Sequence, residues 1–145
     1  MEAVILIGAQ GAGKSMFFAQ RLCDTHVRIN LDMLRTRRRE ALLLEACLAG
    51  GQPFAIDKTN PTVEVRRPYI EAARARGFRV VGYFFRCTLK ECLARNARRD
   101  GGRVIPPAGV RATYSRMQPP TMSEGFDELH EVRIVTDGQL VVQPM

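Results

Sequence analysis

The sequence predicts an α/β fold: a P-loop kinase-like parallel sheet flanked by helices on both faces, with an arginine-rich lid and a C-terminal β-hairpin. Three observations carry that expectation. Short β-branched and aromatic runs alternate with helix-length stretches along the whole chain, the pattern of parallel strands joined by helical crossovers. A glycine-rich octapeptide, Gly8-Ala9-Gln10-Gly11-Ala12-Gly13-Lys14-Ser15, stands between the first strand and the first helix. The length of 145 residues suits one domain over 1–145, with core enough to fold without staples.

Taken in order, Ala3 to Ile7 is a β-branched run ending in glycine and reads as a buried strand. A helix should follow from about Lys14 to Cys23, then a second strand over Val27 to Asn30. Asp32 to Ala49 reads as one helix closed by Gly50-Gly51. Pro53 to Ile56 is a third strand. Asn60 is a good N-cap with Pro61 at the first helical position, so a helix is expected as far as Arg76. Phe78 to Phe85 reads as a long buried strand. Thr88 and Glu91 form a capping box that opens a helix over about Leu89 to Arg99. Asp100-Gly101-Gly102 ends it, the arginine-rich stretch to Ile105 reads as a mobile loop, and the lid is placed at about 95–106. Pro106-Pro107 restarts a short helix to about Met117, and Pro119-Pro120 breaks it. The tail alternates about Asp137-Gly138, a hairpin signal over about 131–143.

Apolar residues make up 46% and charged residues 26%, ordinary values for a globular protein. The longest uncharged apolar run, Ala3 to Ala9, is far below the roughly 18 residues of a membrane span. No basic region precedes it, which argues against a secretory signal, so the expected location is cytoplasmic and no membrane partner is expected. Cys23, Cys47, Cys87 and Cys92 form no C-x-x-C pair, so they are expected to be buried small hydrophobes in a reducing compartment rather than metal ligands. His26 and His130 are isolated and suggest no metal site.

The net charge is +7, and 19 of the 22 basic residues are arginine. Arginine forks hold phosphate oxygens in a bidentate way that lysine does not; a GC-rich genome would give the same composition. Arg95, Arg98, Arg99, Arg103, Arg111 and Arg116 face only Asp100 within 95–116, whereas 124–137 carries five acids against Arg133. That polarity gives the molecule an anion-attracting face.

Gly8–Ser15 matches G-x-x-x-x-G-K-[ST] in full, with the strand before it and the helix after it that the motif needs. Its backbone N–H groups, through Gly8, Gln10, Gly11, Ala12 and Gly13, would cradle phosphate, with the positive end of the helix behind them. Lys14 would reach the β- and γ-phosphates and the Ser15 hydroxyl would take a position on Mg²⁺. The expected ligand is ATP or GTP, with Mg²⁺. The guanine-reading N-K-x-D set is missing and the third strand ends in a single acid, so small size points to a kinase rather than a GTPase or a mechanical ATPase.

Asp32, just past the second strand, could take the proton of an acceptor hydroxyl, or serve as an ordinary acid at a helix start. Arg35, three residues on, would share its face and could clamp an acceptor phosphate. Asp57 could hold Mg²⁺ through water or orient a cationic side chain; a buried structural acid is the bland alternative. Arg95 and Arg99 are one turn apart and lead into Gly101-Gly102, which suits a lid over the transferring phosphoryl or a merely solvated basic face.

These residues together resemble the kinase module of the polynucleotide 5′-kinases, including the kinase half of the polynucleotide kinase/phosphatases. The resemblance spans Ile5 to Leu129. Gly8–Ser15 is shared by many families. Ile29-Asn30-Leu31-Asp32 with Arg35 and the Ile105-Pro106 break are also part of it, and more specific is the ordered set of Asp57-Lys58-Thr59-Asn60-Pro61, Arg95-Asn96-Ala97-Arg98-Arg99 and Pro120-Thr121-Met122-Ser123-Glu124-Gly125-Phe126. The resemblance implies transfer of phosphate from ATP to a 5′-hydroxyl of DNA or RNA. By its pattern Asp32 is the general base and Arg35 grips the phosphate next to the accepting nucleoside. Lys14 and Arg99 stabilise the transferring group, Ser15 ligates Mg²⁺ and Arg95 supports the lid. Leu31 departs from the pattern, since many relatives carry arginine there. No phosphatase or ligase module is present, so a wider role in nucleic-acid repair would need separate partners. Two other readings stand beside this one. A P-loop kinase of a small-molecule hydroxyl (sugar, nucleoside or antibiotic) would use the same Lys14, Ser15 and Asp32 but would not need Arg35 and the basic lid. A nucleotide-dependent regulatory binding protein would need no Asp32.

Overall fold

The computed structural model describes residues 1–135 and 138–145. Six strands form one sheet in the order β2-β3-β1-β4-β5-β6. They are β1 (Glu2–Ile7), β2 (Val27–Ile29), β3 (Phe54–Asp57), β4 (Arg79–Phe85), β5 (Glu128–Ile134) and β6 (Leu140–Pro144). All neighbours pair in parallel except β5 with β6. The helices are α1 (Lys14–Arg21), α2 (Leu31–Leu34), α3 (Arg37–Gly50), α4 (Val63–Ala75), α5 (Leu89–Ala97) and α6 (Pro107–Arg116).

The central strands are buried on both faces, as a parallel sheet requires. Ala3, Ile5 and Ile7 of β1 meet Cys47 and Leu48 of α3 and Tyr69, Ile70 and Ala73 of α4 on one face. Val4 and Leu6 meet Phe17 of α1, Cys92 of α5 and Val110 of α6 on the other. Helices therefore cover both faces. β1 and β3 end in register, Leu6 beside Asp57, which brings the acid at the end of β3 to the start of the glycine loop. No helix among the described residues is long and apolar enough to cross a membrane.

Five expectations need correction. The helix expected over Asp32 to Ala49 is two helices. Asn30 caps α2 by accepting the Met33 N–H at 2.9 Å, and Thr36 opens α3 by accepting the Arg39 N–H at 3.1 Å. Between them Arg35 sits at φ 75°, so a strong second cap interrupts what periodicity reads as continuous. Asn60 is not a cap either. Thr62 caps α4, accepting the Val65 N–H at 3.3 Å, while Asn60 is buried at φ 46° and donates its amide to Leu6 O at 2.7 Å. Helix α5 stops at Ala97, leaving Arg99 beyond it, and the expected loop holds a 3₁₀ turn over Gly101–Arg103. The cysteines are not all buried small hydrophobes: Cys23 is exposed, and Cys87 and Cys92 form a disulfide, because the capping box of α5 folds the chain back and sets their Cα atoms 6.5 Å apart. Finally, the C-terminal hairpin exists, but its first strand is also the fifth strand of the main sheet, paired in parallel with β4. Asp137 of its expected turn lies outside the described residues.

Candidate active site

The glycine loop takes its shape from what it touches. Gly11 and Gly13 have φ of 82° and 108°, which side chains rarely adopt. A Cβ on Gly11 would collide with Cys92 O and stand 3.1 Å from Asn96 N, so α5 lies flush on the loop. The Gly8 N–H donates to Thr59 O at 3.0 Å, tying the loop to the segment after β3. Ala12 is buried and donates its N–H to Ala9 O at 3.1 Å, which closes the turn. Gln10 reaches across to α6 and donates to Thr113 Oγ1 at 3.3 Å.

Lys14 opens α1, and its ammonium donates to Gly8 O at 2.7 Å and Ala9 O at 2.9 Å. Burial pushes its pKa from 10.5 down to about 8; the Asp57 carboxylate opposes the fall and the Arg99 guanidinium adds to it. Lys14, Asp57 and Arg99 thus share one electrostatic neighbourhood, although they are far apart in the sequence. Ser15 is exposed in the first turn of α1.

Asp57 is 3% exposed. Its Oδ2 accepts Arg28 Nε at 2.7 Å and Asn30 Nδ2 at 3.4 Å, and its main-chain oxygen accepts Asn30 Nδ2 at 3.0 Å. Arg28 also lies 5.9 Å from the ring centre of Phe18. Asp57 Oδ1 forms no hydrogen bond among the described residues and remains able to act as a hard oxygen donor. No group of three or more His, Cys, Asp or Glu that could hold a metal occurs among the described residues. A Mg²⁺ ion here would therefore be held mainly by phosphate oxygens and water, the usual manner for this ion, with Ser15 Oγ and Asp57 Oδ1 as the protein's fitting donors.

On the lid side Arg95 donates to Glu91 at 3.3 Å, while its Nη1 is buried with no partner. Gln10 Oε1 is likewise buried and unpartnered. A buried donor and a buried acceptor left over around a phosphate loop fit a polar ligand such as ATP. On the opposite side Asp32 and Arg35 are exposed, and neither side chain forms a hydrogen bond or ion pair among the described residues. They stand three residues apart at the end of β2, but the break at Arg35 removes the shared helical face expected of them.

Sequence reasoning missed the residues that hold these groups in place. Arg28 sits inside a three-residue strand, where a long cation beside a buried acid would have been the clue. Arg66 is fully buried and donates to Glu124 Oε1 at 2.8 Å, Glu124 Oε2 at 3.1 Å and Asn60 O at 2.9 Å. It thereby joins two of the sequence motifs, those around Asn60 and Glu124, into one support for the end of β3. Neither motif contains it.

A phosphate loop at the end of β1, an acid at the end of the neighbouring β3 and an arginine-bearing segment after α5 define a P-loop kinase fold. Among solved structures, a gluconokinase from Sinorhizobium meliloti superposes with a TM-score of 0.62 at 16% identity, over 93% of this chain and 83% of that one. The chain belongs to the AAA domain family, whose model matches residues 36–120; the match begins after the phosphate loop. A bifunctional polynucleotide phosphatase/kinase from Schizosaccharomyces pombe is 29% identical over 137 residues, covering 90% of this chain and 33% of its own length. A provisionally named counterpart from Acanthamoeba polyphaga mimivirus is 26% identical over 150 residues, covering 99% of this chain and 36% of its own. The chain thus spans about a third of the length of these curated relatives.

Proposed function

We propose that this protein binds ATP with Mg²⁺ and transfers the γ-phosphate to the 5′-hydroxyl end of a polynucleotide. The observation that carries the reading is how its arginines are partnered. Arg74, Arg76, Arg79, Arg86 and Arg133, on or beside α4, β4 and β5, each face a carboxylate. Arg35, Arg37 and Arg38 on one side of the site, and Arg98, Arg99 and Arg103 on the other, have no carboxylate partner among the described residues; nor have Arg21, Arg67, Arg111 and Arg116 elsewhere on the exposed surface. Unneutralised guanidinium groups on both sides of a phosphate loop suit a polyanionic acceptor better than a neutral sugar. The names of the curated relatives support the same choice.

In this reading the loop N–H groups and Lys14 hold the phosphates of ATP, and Arg99 neutralises charge on the transferring phosphoryl. Ser15 and Asp57 would hold Mg²⁺, which would supply further charge neutralisation. Asp32 accepts the proton of the 5′-hydroxyl as the new O–P bond forms and the bond from the γ-phosphorus to the bridging oxygen breaks, releasing ADP. Arg35 clamps the first acceptor phosphate, and Arg95 supports the lid and contacts ATP.

The test is transfer from γ-labelled ATP to short 5′-hydroxyl DNA and RNA, with Asp32→Ala beside the wild type. Labelled oligonucleotide is expected from the wild type, with a loss of about 10²–10⁴-fold in the variant at unchanged ATP affinity. Binding of ATP with no oligonucleotide labelled would overturn the polynucleotide acceptor in favour of a small-molecule hydroxyl.

A further inference from the structure

The loop over 97–104 is closed at its base by a single side chain. Asn96 is 2% exposed. Its Nδ2 donates to Ile105 O at 2.7 Å, and its Oδ1 accepts the Ile105 N–H at 3.1 Å. An amide side chain thus satisfies both polar groups of one residue's backbone, as a neighbouring strand would. The main-chain oxygen of Asn96 also accepts the Arg99 N–H at 3.1 Å. One residue therefore fixes the start of the loop, its end and the backbone of Arg99.

The clasp rests directly on the phosphate loop. The Asn96 backbone N lies 3.1 Å from where a Gly11 Cβ would stand, so no side chain fits between loop and lid base. Gln10 makes a second link, to Thr113 on the helix that follows the lid. The charge of Arg99 is already felt at Lys14. The chemistry of the clasp is specific: an aspartate of this length offers two acceptors and no donor at neutral pH, and an alanine offers neither.

We propose that Asn96 is a positioning residue for phosphoryl transfer, clasping Ile105 so that Arg99 is delivered to the phosphate loop beside Lys14. This rests on the role given above to Arg99. The alternative is that Asn96 only stabilises the fold, and a double-mutant cycle separates the two. Wild type, Asn96→Ala, Arg99→Ala and the double variant are compared by kcat, ATP affinity and melting temperature. The acceptor is a 5′-hydroxyl oligonucleotide, or water if no oligonucleotide is labelled, so a wrong acceptor does not void the cycle.

Arg99→Ala is expected to lower kcat about 10²–10³-fold, as losing one preorganised donor does. Asn96→Ala is expected to lower it about 10–10²-fold, with ATP affinity within about threefold of the wild type. The double variant should be no more than about twofold slower than Arg99→Ala alone, because a lid arginine that is gone cannot be mispositioned. Losses that multiply, or an equal loss of ATP binding, would overturn the role of Asn96 while leaving that of Arg99. An Arg99→Ala enzyme as fast as the wild type would overturn both. If Asn96→Ala does not fold, Asn96→Asp replaces it under the same criteria, since it still accepts the Ile105 N–H and loses only the donor.

Discussion

Around the phosphate loop nearly every group is held from several directions. Gly8 is tied to Thr59, Lys14 to two loop carbonyls, Gln10 to Thr113, and α5 lies against Gly11. Two strands away, β2 is three residues long at the edge of the sheet, α2 is four residues long, and Asp32 and Arg35 stand exposed. The first region is preorganised. The second has few contacts to define it, which is where low local stability and ordering by substrate are expected. On the proposed function, the preorganised side holds the nucleotide and the exposed side meets the acceptor.

Three experiments bear on this contrast. The largest effect is expected from Lys14→Ala, which removes the one side-chain cation that the loop itself holds. It should lower kcat about 10³-fold, measured as phosphate transfer under saturating ATP and acceptor. A loss under tenfold would break the comparison, because the preorganised side would then contribute little to the chemistry.

A smaller and differently shaped effect is expected from Arg35→Ala. A guanidinium that grips one acceptor phosphate through charge-assisted hydrogen bonds contributes about 1.5–3 kcal/mol. The acceptor KM should therefore rise about 10–100-fold with ATP affinity unchanged, read from initial rates at varied oligonucleotide and from nucleotide titration. Equal weakening of ATP and acceptor would show that the two sides are not separate.

The two regions were also unequally legible in the sequence. The succession of strands along the chain, the phosphate loop and the capping box of α5 followed from short-range patterns, because each is a local consequence of periodicity or of one capping side chain. The break at Arg35 did not follow. Two competing caps, Asn30 and Thr36, lie within one stretch of helical periodicity, and only their actual hydrogen bonds decide where the chain turns. Long-range polar ties were illegible for a different reason. Arg28 with Asp57, and Arg66 with Glu124, are separated by 29 and 58 residues, so no local pattern marks them as partners. Asp57 and Asn96 were both visible as residues. The partner of Asp57 was visible only once the sheet order had set β2 beside β3, and that of Asn96 only once the loop over 97–104 had folded back onto α5.

The pH dependence of ATP binding is the finest probe of the contrast, because it reads the preorganised side alone. Burial holds the Lys14 pKa at about 8, below its ordinary 10.5. In this direction the folded protein binds fewer protons than the unfolded chain between those two values, so the contribution of Lys14 to stability rises with pH across that window. Binding follows the opposite course. Phosphate favours the charged ammonium, so ATP binding raises the Lys14 pKa and takes up a proton above about pH 8. Affinity should be flat with respect to Lys14 below that point and fall by up to about tenfold per pH unit above it. Calorimetric titrations at pH 7 and pH 9, each in two buffers of different ionisation enthalpy, measure both the affinity and the proton uptake. In Lys14→Met the extra uptake at pH 9 should vanish while the weaker binding becomes less sensitive to pH. If that uptake persists in the variant, the proton belongs to another group and Lys14 is already fully charged in the free protein.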